Sequence, residues 1–363
     1  MQVIVEAPIN SLSFGNVTYN ILRQFWRKGV DLIFYPLNGQ ADFKSFDKIS
    51  PDFGQWLQDS TNNANLNLDK NIPTFKLWHL NGSQSRVGEN QLLYTFYELD
   101  EPTPTEVNLA KFQTKTIFSS KYSSDQFKDR GVNCDNIPIG FDEDLHKTNK
   151  QYLNPDTVHF GLMGKFEKRK HTEKIIKLWL SKYGNNRKYQ LSICVTNPFI
   201  KPEDMNNILN NCFEGKPYCN VNVLPYLNTN SEVNEFLNSI DIDLTGLSGA
   251  EGWNLPAFNA SCLGKWSIVL NETSHRDWAN EKNSILVESN GKEEAYDGQF
   301  FQKGAPFNQG NIYSWDSDIV SQAMDKAVSK KGQINTEGEA LKEEFSYEKT
   351  ATRILTELEA ISK

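Results

Sequence analysis

The sequence predicts an α/β protein made of two parallel-sheet domains. Three observations carry that expectation. Short apolar, β-branched runs alternate with amphipathic, helix-length runs along almost all of the 363 residues. Each half opens on the same order of strand, loop, helix and strand, the usual start of a nucleotide-binding α/β unit. A polar, proline-containing stretch at 147–156, KTNKQYLNPD, divides the halves where a linker belongs. A length prior of about 150 residues per domain also gives two domains.

In the first half, residues 3–5 read as a short strand and 17–28 as a helix stopped by Gly29, with Gly15 in the loop between them. A strand at 30–35 follows, and residues 36–72 are polar with scattered aromatics and no clear period. Further strands are expected at 74–80, 92–97, 116–119 and 136–139, with helices at 105–112 and 123–129. Glu98 and Asp100 come directly after the 92–97 strand, at its carboxyl end. Gly15 alone does not make a dinucleotide fingerprint, which needs three spaced glycines.

In the second half, a strand at 158–163 leads into the basic run GKFEKRKHTEK and an amphipathic helix through Tyr183. A strand at 190–195, a helix at 203–212, a strand at 221–224 and a serine-capped helix at 231–238 follow. Residues 239–270 then read as strand, loop, helix and strand, with three glycines in the loop GLSGAEGWNLP. Open α/β sheets bind ligands at the carboxyl ends of their strands, so this loop is the leading candidate site. The helix start near Leu255–Pro256 offers unpaired N–H groups and a positive dipole end to an anion. Residues 289–311 are glycine-rich and aromatic, and read equally as a loop beside a site or a surface excursion. A helix at 316–328 and a long helix at 339–362, with a break near Phe345–Ser346, close the chain.

Composition narrows the function. With 38% apolar and 23% charged residues the chain can bury a real core. The net charge of −8 argues against a broad phosphate-tracking surface but leaves room for a local basic patch. Five scattered cysteines with no C-x-x-C point to reduced thiols, mostly in the core, and to a cytoplasmic setting. The start MQVIVEAPIN reads as a strand rather than a signal peptide, and no apolar run approaches the roughly 18–20 residues of a membrane span.

Five motifs in order resemble one family. The first is SFGNVTYNILRQFWRKGVDL, the opening loop, helix and strand; the second is the turn Ile139-Gly140-Phe141-Asp142. The third is Gly164-Lys165-Phe166-Glu167-Lys168-Arg169-Lys170-His171, similar to Gly-Arg-x-x-x-x-Lys-Gly, with Lys165 for Arg and His171 for the last Gly. The fourth is Glu251-Gly252-Trp253-Asn254-Leu255-Pro256-Ala257-Phe258-Asn259, similar to EGFGLPxxE with Asn259 in place of the second Glu. The fifth is Phe345-Ser346-Tyr347 at the start of the last helix. Together these resemble the retaining GT-B glycosyltransferases of group 1 (family four-like), among which a phage or viral member is one option. LYTFYELDEP, with Glu98 and Asp100, resembles a further stretch of some members.

The resemblance implies two Rossmann-like parallel-sheet domains facing across a cleft. Residues 1–150 would bind the acceptor, 151–336 the nucleotide sugar, and 337–363 would form a helix packing back on the first domain. The function implied is transfer of a sugar from a nucleotide-sugar donor, UDP- or GDP-linked, to a hydroxyl of a glycan or of a hydroxymethylated pyrimidine in phage DNA. No other cofactor and no metal is implied. The alternative is a GT-B protein of weakened catalysis that binds nucleotide sugar or acts as a scaffold, motivated by Asn259 and His171.

The chemistry needs growing negative charge stabilised on a leaving diphosphate. Lys165 and Lys170, five residues apart at a strand–helix junction, can converge on one phosphate, and the plain alternative is a solvated basic helix start. Gly15 and Asn16 would approach the donor from the first domain. Glu251 would hold a sugar hydroxyl, helped by the backbone of Gly252, Trp253, Asn254 and Leu255. Asn259 would meet the ribose, without a charge-assisted bond worth about 1–2 kcal/mol. Trp253 either stacks on a sugar or packs. Glu98, Asp100 and His79 would face the acceptor, with Glu98 orienting its hydroxyl or taking its proton. Asp241 and Asp243 form a D-x-D read as structural, and His275 and Asp277 follow the motif helix as weaker candidates.

Overall fold

β1 (Gln2–Ala7) is buried from its second residue to its last, as a strand covered on both faces must be. It lies inside the first of two six-stranded parallel sheets in a computed structural model that describes residues 1–362 except 38, 65, 67 and 68. The other strands of this sheet are β2 (Asp31–Pro36), β3 (Thr74–Leu77), β4 (Gln91–Thr95), β5 (Lys115–Phe118) and β6 (Cys134–Asn136), in spatial order β2-β1-β3-β4-β5-β6. Between them run α1 (Ser13–Arg27), α2 (Pro51–Asn63), α3 (Pro104–Phe112) and α4 (Lys121–Lys128). Order reverses between β1 and β3, which makes a switch point at their carboxyl ends.

The second sheet holds β7 (Val158–Met163), β8 (Tyr189–Cys194), β9 (Val221–Val223), β10 (Ile242–Asp243), β11 (Trp266–Leu270) and β12 (Ser284–Val287). Its order, β12-β11-β10-β7-β8-β9, is that of a dinucleotide-binding sheet, reversing between β7 and β10. α5 (Thr172–Tyr183), α6 (Pro202–Cys212), α7 (Asn230–Ser239) and α8 (Leu255–Cys262) cross between these strands. Trp179, fully buried on α5, centres the apolar core of this sheet with Phe160 and Tyr183.

Several sequence expectations shift. Residues 36–72 contain α2, whose start is fixed by Ser50 accepting the Phe53 N–H and by Pro51 in the first turn. Its polar face hides the period, since only Phe53, Leu57 and Ser60 are buried. Gly15 is not in a loop but in the first turn of α1. Its lack of a side chain serves packing, because a Cβ there would lie 2.3 Å from the Asn10 backbone nitrogen. The cap of α7 is Thr229, in a capping box with Glu232, rather than Ser231. The stretch 289–311 is a long loop with a short strand at its start, lying against Lys168, Asp100 and Glu106. It opens with β13 (Gly291–Glu294), which pairs antiparallel with β14 (Asn311–Ser314) to form a hairpin. α9 (Ser317–Val328) follows, capped by Asp316. No helix is long and apolar enough to cross a membrane among the described residues.

The chain ends in α10 (Thr336–Glu344) and α11 (Tyr347–Ile361), broken at Phe345–Ser346 as the sequence suggests. Ser346 accepts the Lys349 N–H and so starts the new helix. α11 packs on α1 and β4, returning to the first sheet. The joint is tight. Phe141 N–H donates to the Phe345 carbonyl at 2.8 Å, and Thr350 Oγ1 donates to the Pro138 carbonyl at 2.8 Å. A Cβ on Gly140 would lie 2.1 Å from the Tyr347 nitrogen, a backbone atom that cannot swing away. Gly140→Ala is therefore expected to destabilise the protein by about 1–3 kcal/mol through overpacking. Urea denaturation checks it, and unchanged stability would mean that the joint has slack.

Candidate active site

The carboxyl ends of both sheets meet. Ser119, directly after β5, donates to the Gly252 carbonyl at 2.7 Å. A Cβ on Gly252 would sit 3.1 Å from the Cβ of Phe96, just past β4. Thus Gly252 is where the loop after β10 presses against the first sheet. Asp277, past β11, accepts the Lys121 N–H at the start of α4 at 2.7 Å, a second direct contact between the halves.

At the β7/β10 switch point the basic run folds into a short turn, Lys168–Lys170, before α5. Lys170 reaches back past Gly164 and pairs with Glu251 Oε1. Arg169 holds the other carboxylate oxygen of Glu251 at 3.1 Å, Glu167 at 2.9 Å and Glu98 at 3.9 Å. Its Nη1 also donates to the Ala250 carbonyl at 2.5 Å. At 6% exposed, Arg169 is the buried centre of the cluster, not one of the solvated neighbours that a charge run suggests. Nothing in the sequence separates it from Lys168. The lysines on either side are engaged too. Lys168 donates to the Glu294 carbonyl at 2.6 Å, and Lys174 lies 3.7 Å from the centroid of the Trp315 ring.

Burial opposes the charge on Glu251, yet Lys170 and Arg169 together hold its carboxyl far below the ordinary range. Glu167 is lowered in the same way against its own burial. Glu98 goes up: burial dominates, Arg169 pulls it down, and Glu251 and Glu167 push it further up. Two carboxyls with pKa values driven apart in one cluster are the arrangement that acid–base chemistry uses. Lys165, after β7, is 38% exposed on its side chain. It sits 3.5 Å from Glu167 and 5.3 Å from the Phe199 ring centroid, with donors to spare for an anion.

Other expected site residues prove to be occupied. Asn16 donates to Asp142 at 3.2 Å and to Asn230 Oδ1 at 3.4 Å, so it joins α1 to the turn after β6 and to α7. Trp253 is 3% exposed, its ring set edge-on to Phe258 and Phe345, so it packs and cannot stack on a sugar. Asn254 takes a left-handed conformation (φ 70°) and caps α8 through Ala257 N–H, while its amide nitrogen meets the Thr245 carbonyl at 3.0 Å. This changes the anion site expected there. Pro256 has no N–H and Asn254 takes that of Ala257, so the start of α8, with half-buried Leu255, is largely capped. The first turn of α1 has no side-chain cap and no acid, and is the more open helix end. Asp100 accepts the Asn311 N–H at 2.8 Å and Lys292 at 2.8 Å, which ties it to the hairpin and not to an acceptor. His275 is fully buried, bonded to the Leu270 carbonyl at 2.9 Å and to Asn254, and burial lowers it to about 4. Asp241 accepts the His159 N–H and Asp243 the Thr245 N–H, so both carboxylates of the D-x-D pair serve backbone. Among the described residues no group of three or more His, Cys, Asp or Glu is placed to hold a metal ion.

Two substitutions in the motifs gain a physical account. His171 stands where a glycine is usual and keeps a glycine's conformation, at φ 53°. Its Nε2 bonds the Tyr313 carbonyl at 2.7 Å and its ring meets Trp315 edge-on at 5.7 Å, which offsets the strain. Asn259 is buried on α8 with its Oδ1 unpartnered, a polar atom that a ligand hydroxyl would satisfy.

No protein-family model and no curated protein sequence matches the chain. Solved structures do. Sucrose-phosphate synthase from Thermosynechococcus elongatus is similar at TM-score 0.70 and 10% identity, over 99% of each chain. HepE of Anabaena, solved with UDP and glucose, is similar at TM-score 0.69 and 13% identity, over 99% of each chain. A glycosyltransferase from Rickettsia africae ESF-5 is similar at TM-score 0.64 and 11% identity, over 100% of this chain and 98% of the other. The chain has the GT-B fold. Its two parallel sheets are the two Rossmann-like halves of that fold.

Arg169→Met would leave three acids around an apolar side chain. A loss of about 3–5 kcal/mol is expected at pH 7. Without Arg169 all three folded carboxyl pKa values move up, and Glu98, already raised by burial, loses the main charge that lowers it and moves further above its unfolded value. The variant should then regain stability as pH falls towards 5. In the native protein, the depressed Glu251 and Glu167 give stability that is complete above the unfolded pKa and lost as pH falls below it. Urea melts at both pH values decide this, and a loss independent of pH would refute the assignment. At His171, the Ala variant should be less stable than the Gly variant by about 1 kcal/mol, since only the left-handed backbone separates them. Equal stability would mean that the turn relaxes.

Proposed function

We propose that the chain is a retaining glycosyltransferase that moves a sugar from a nucleotide sugar to a hydroxyl. The observation that carries this reading is the ion cluster at the β7/β10 switch point: Glu251 between Lys170 and Arg169, with Lys165 open beside it and Glu98 facing it from the first sheet. The similar HepE structure that holds UDP and glucose supports the donor class. The motif resemblance supports retention and the division into an acceptor half (1–150), a donor half (151–336) and a closing helix (337–363).

In this reading the bond between the anomeric carbon and the diphosphate oxygen breaks, and a bond to the acceptor oxygen forms. Lys165 and the remaining N–H donors of Lys170 take the negative charge of the departing diphosphate, with the uncapped first turn of α1 opposite. Glu251, kept ionised, accepts from a donor-sugar hydroxyl through the lone pairs its cations leave free. Asn259 Oδ1 accepts from a ribose hydroxyl. Glu98, raised by burial, accepts the hydrogen bond of the acceptor hydroxyl, whose proton leaves with the diphosphate or through this carboxylate.

The test is a thermal-shift and turnover screen with UDP- and GDP-sugars. One donor should stabilise the protein by about 2.7 kcal/mol at a concentration 100 times its Kd. Lys165→Ala and Glu251→Ala should each lower kcat by about 10²–10³. Binding with no hydrolysis or transfer would replace catalysis with a nucleotide-sugar-binding role, and no binding at all would end this reading.

A further inference from the structure

Between the start of α1 and the ends of β3 and β4 lies a cluster of rings that the donor chemistry does not use. Phe14, in the first turn of α1, stacks on Phe96 with centroids 4.2 Å apart and planes 25° apart. It also meets His79 at 4.3 Å and Trp78 at 5.9 Å. Trp78 and His79 follow β3 directly and pack edge-on at 5.2 Å. Phe14 is buried beneath the others, Trp78 and Phe96 are half-buried, and His79 is exposed. The group is therefore a supported ring surface rather than a core.

Its surroundings say where it belongs. Phe96 abuts Gly252, next to Glu251, and two residues further along the chain is Glu98. The positive charge of Lys165 reaches His79, so the rings border the phosphate-binding side as well. The outer edge of His79 is open to solvent, but the protein packed against its inner side first, and Lys165 second, lower its pKa, so the rings carry no charge at neutral pH.

We propose that these rings, with Trp78 and His79 at the open side, seat the acceptor, and that the acceptor is an uncharged pyranose of a glycan. The proposal rests on the glycosyltransferase reading of the same cleft and names its acceptor class. A pyranose presents a face of C–H groups, and aromatic faces carry the partial negative charge that attracts them. Its hydroxyls point outward around the edge, free for a hydrogen-bonding side chain such as Glu98, two residues after Phe96 in the chain. A nucleic-acid acceptor needs cations tracking a phosphate backbone. None of the four rings supplies one, and Lys165 is shared with Glu167 and committed to the donor side.

The experiment uses the whole chain and three probes: a methyl hexopyranoside, a hexose 6-phosphate and a hydroxymethylcytosine oligonucleotide. Saturation-transfer NMR reads binding of each, with and without donor. The neutral pyranoside should bind best. Trp78→Ala and His79→Ala should each weaken it about tenfold, as removal of a contact ring does. Trp78→Phe should retain most of the binding, and the donor Kd should move by less than about twofold in all three variants. His79 is exposed, so its variant tests the site even where Trp78→Ala fails to fold. Tighter binding of the phosphate or the oligonucleotide overturns the proposal, as does pyranoside binding that ignores both substitutions. Failure of the donor to bind the native protein would sink the glycosyltransferase reading alone, because the pyranoside arm is read without donor.

Discussion

Arg169 is the charge on which the two halves agree. It sits among Glu98 from the first sheet and Glu167 and Glu251 from the second, and a guanidinium has the fork of donors to serve several carboxylates at once. Three acids in so buried a place would otherwise repel one another or take up protons. With Arg169 and Lys170 present, Glu251 stays charged while Glu98 is left poised towards its neutral form. The site's division of labour between carboxyls thus follows from the placement of two cations, Lys170 and Arg169. Removing one partner of such a cluster is far more costly than replacing the whole of it with apolar groups, so its members act as a unit.

Much of the scaffold was legible because parallel strands buried on both faces give mostly apolar runs, as in β1, β7 and β11. The break between α10 and α11 was legible because Ser346 is a strong cap in the middle of a helical pattern. α2 was hidden by its polar face. The hairpin was hidden because β13 is exposed along its whole length and shows no alternation of apolar residues. In the candidate site, Lys165, Lys170, Glu251 and Glu98 were picked out by spacing and position, and the structure brings them into one cluster. Arg169 was not, since a run of like charges in sequence does not show which member turns inwards. Asn16, Asn254 and Asp100 each make structural hydrogen bonds that their position in sequence does not show. A polar side chain beside a site is as useful for holding loops as for holding ligand.

His171 shows why departures from a motif need geometry before they are read as lost function. The motif's glycine serves a left-handed turn, and His171 adopts that turn while bonding Tyr313. The requirement is a backbone angle, met here at some strain and offset by the side chain. Asn259 is different in kind, because it changes the charge offered to a ligand and keeps only the hydrogen-bonding capacity.

The hairpin of β13 and β14 has a mechanical consequence. It leaves the second sheet, bonds His171 at Tyr313, and fastens to the first half at Asp100, at Thr103 through the Pro306 carbonyl, and at Glu106 through the Asn308 N–H. It is thus a tether between the two halves, which cannot swing apart like a simple hinge while its fastenings hold. Separating the halves therefore means unfastening this segment, which breaks these hydrogen bonds and exposes the apolar contacts that Phe301 and Ile312 make with the first half. The segment between the two strands carries these fastenings itself, through Pro306 and Asn308, and buries Ala295 and Phe301 against the first half, so a change in its length would alter the closed form directly.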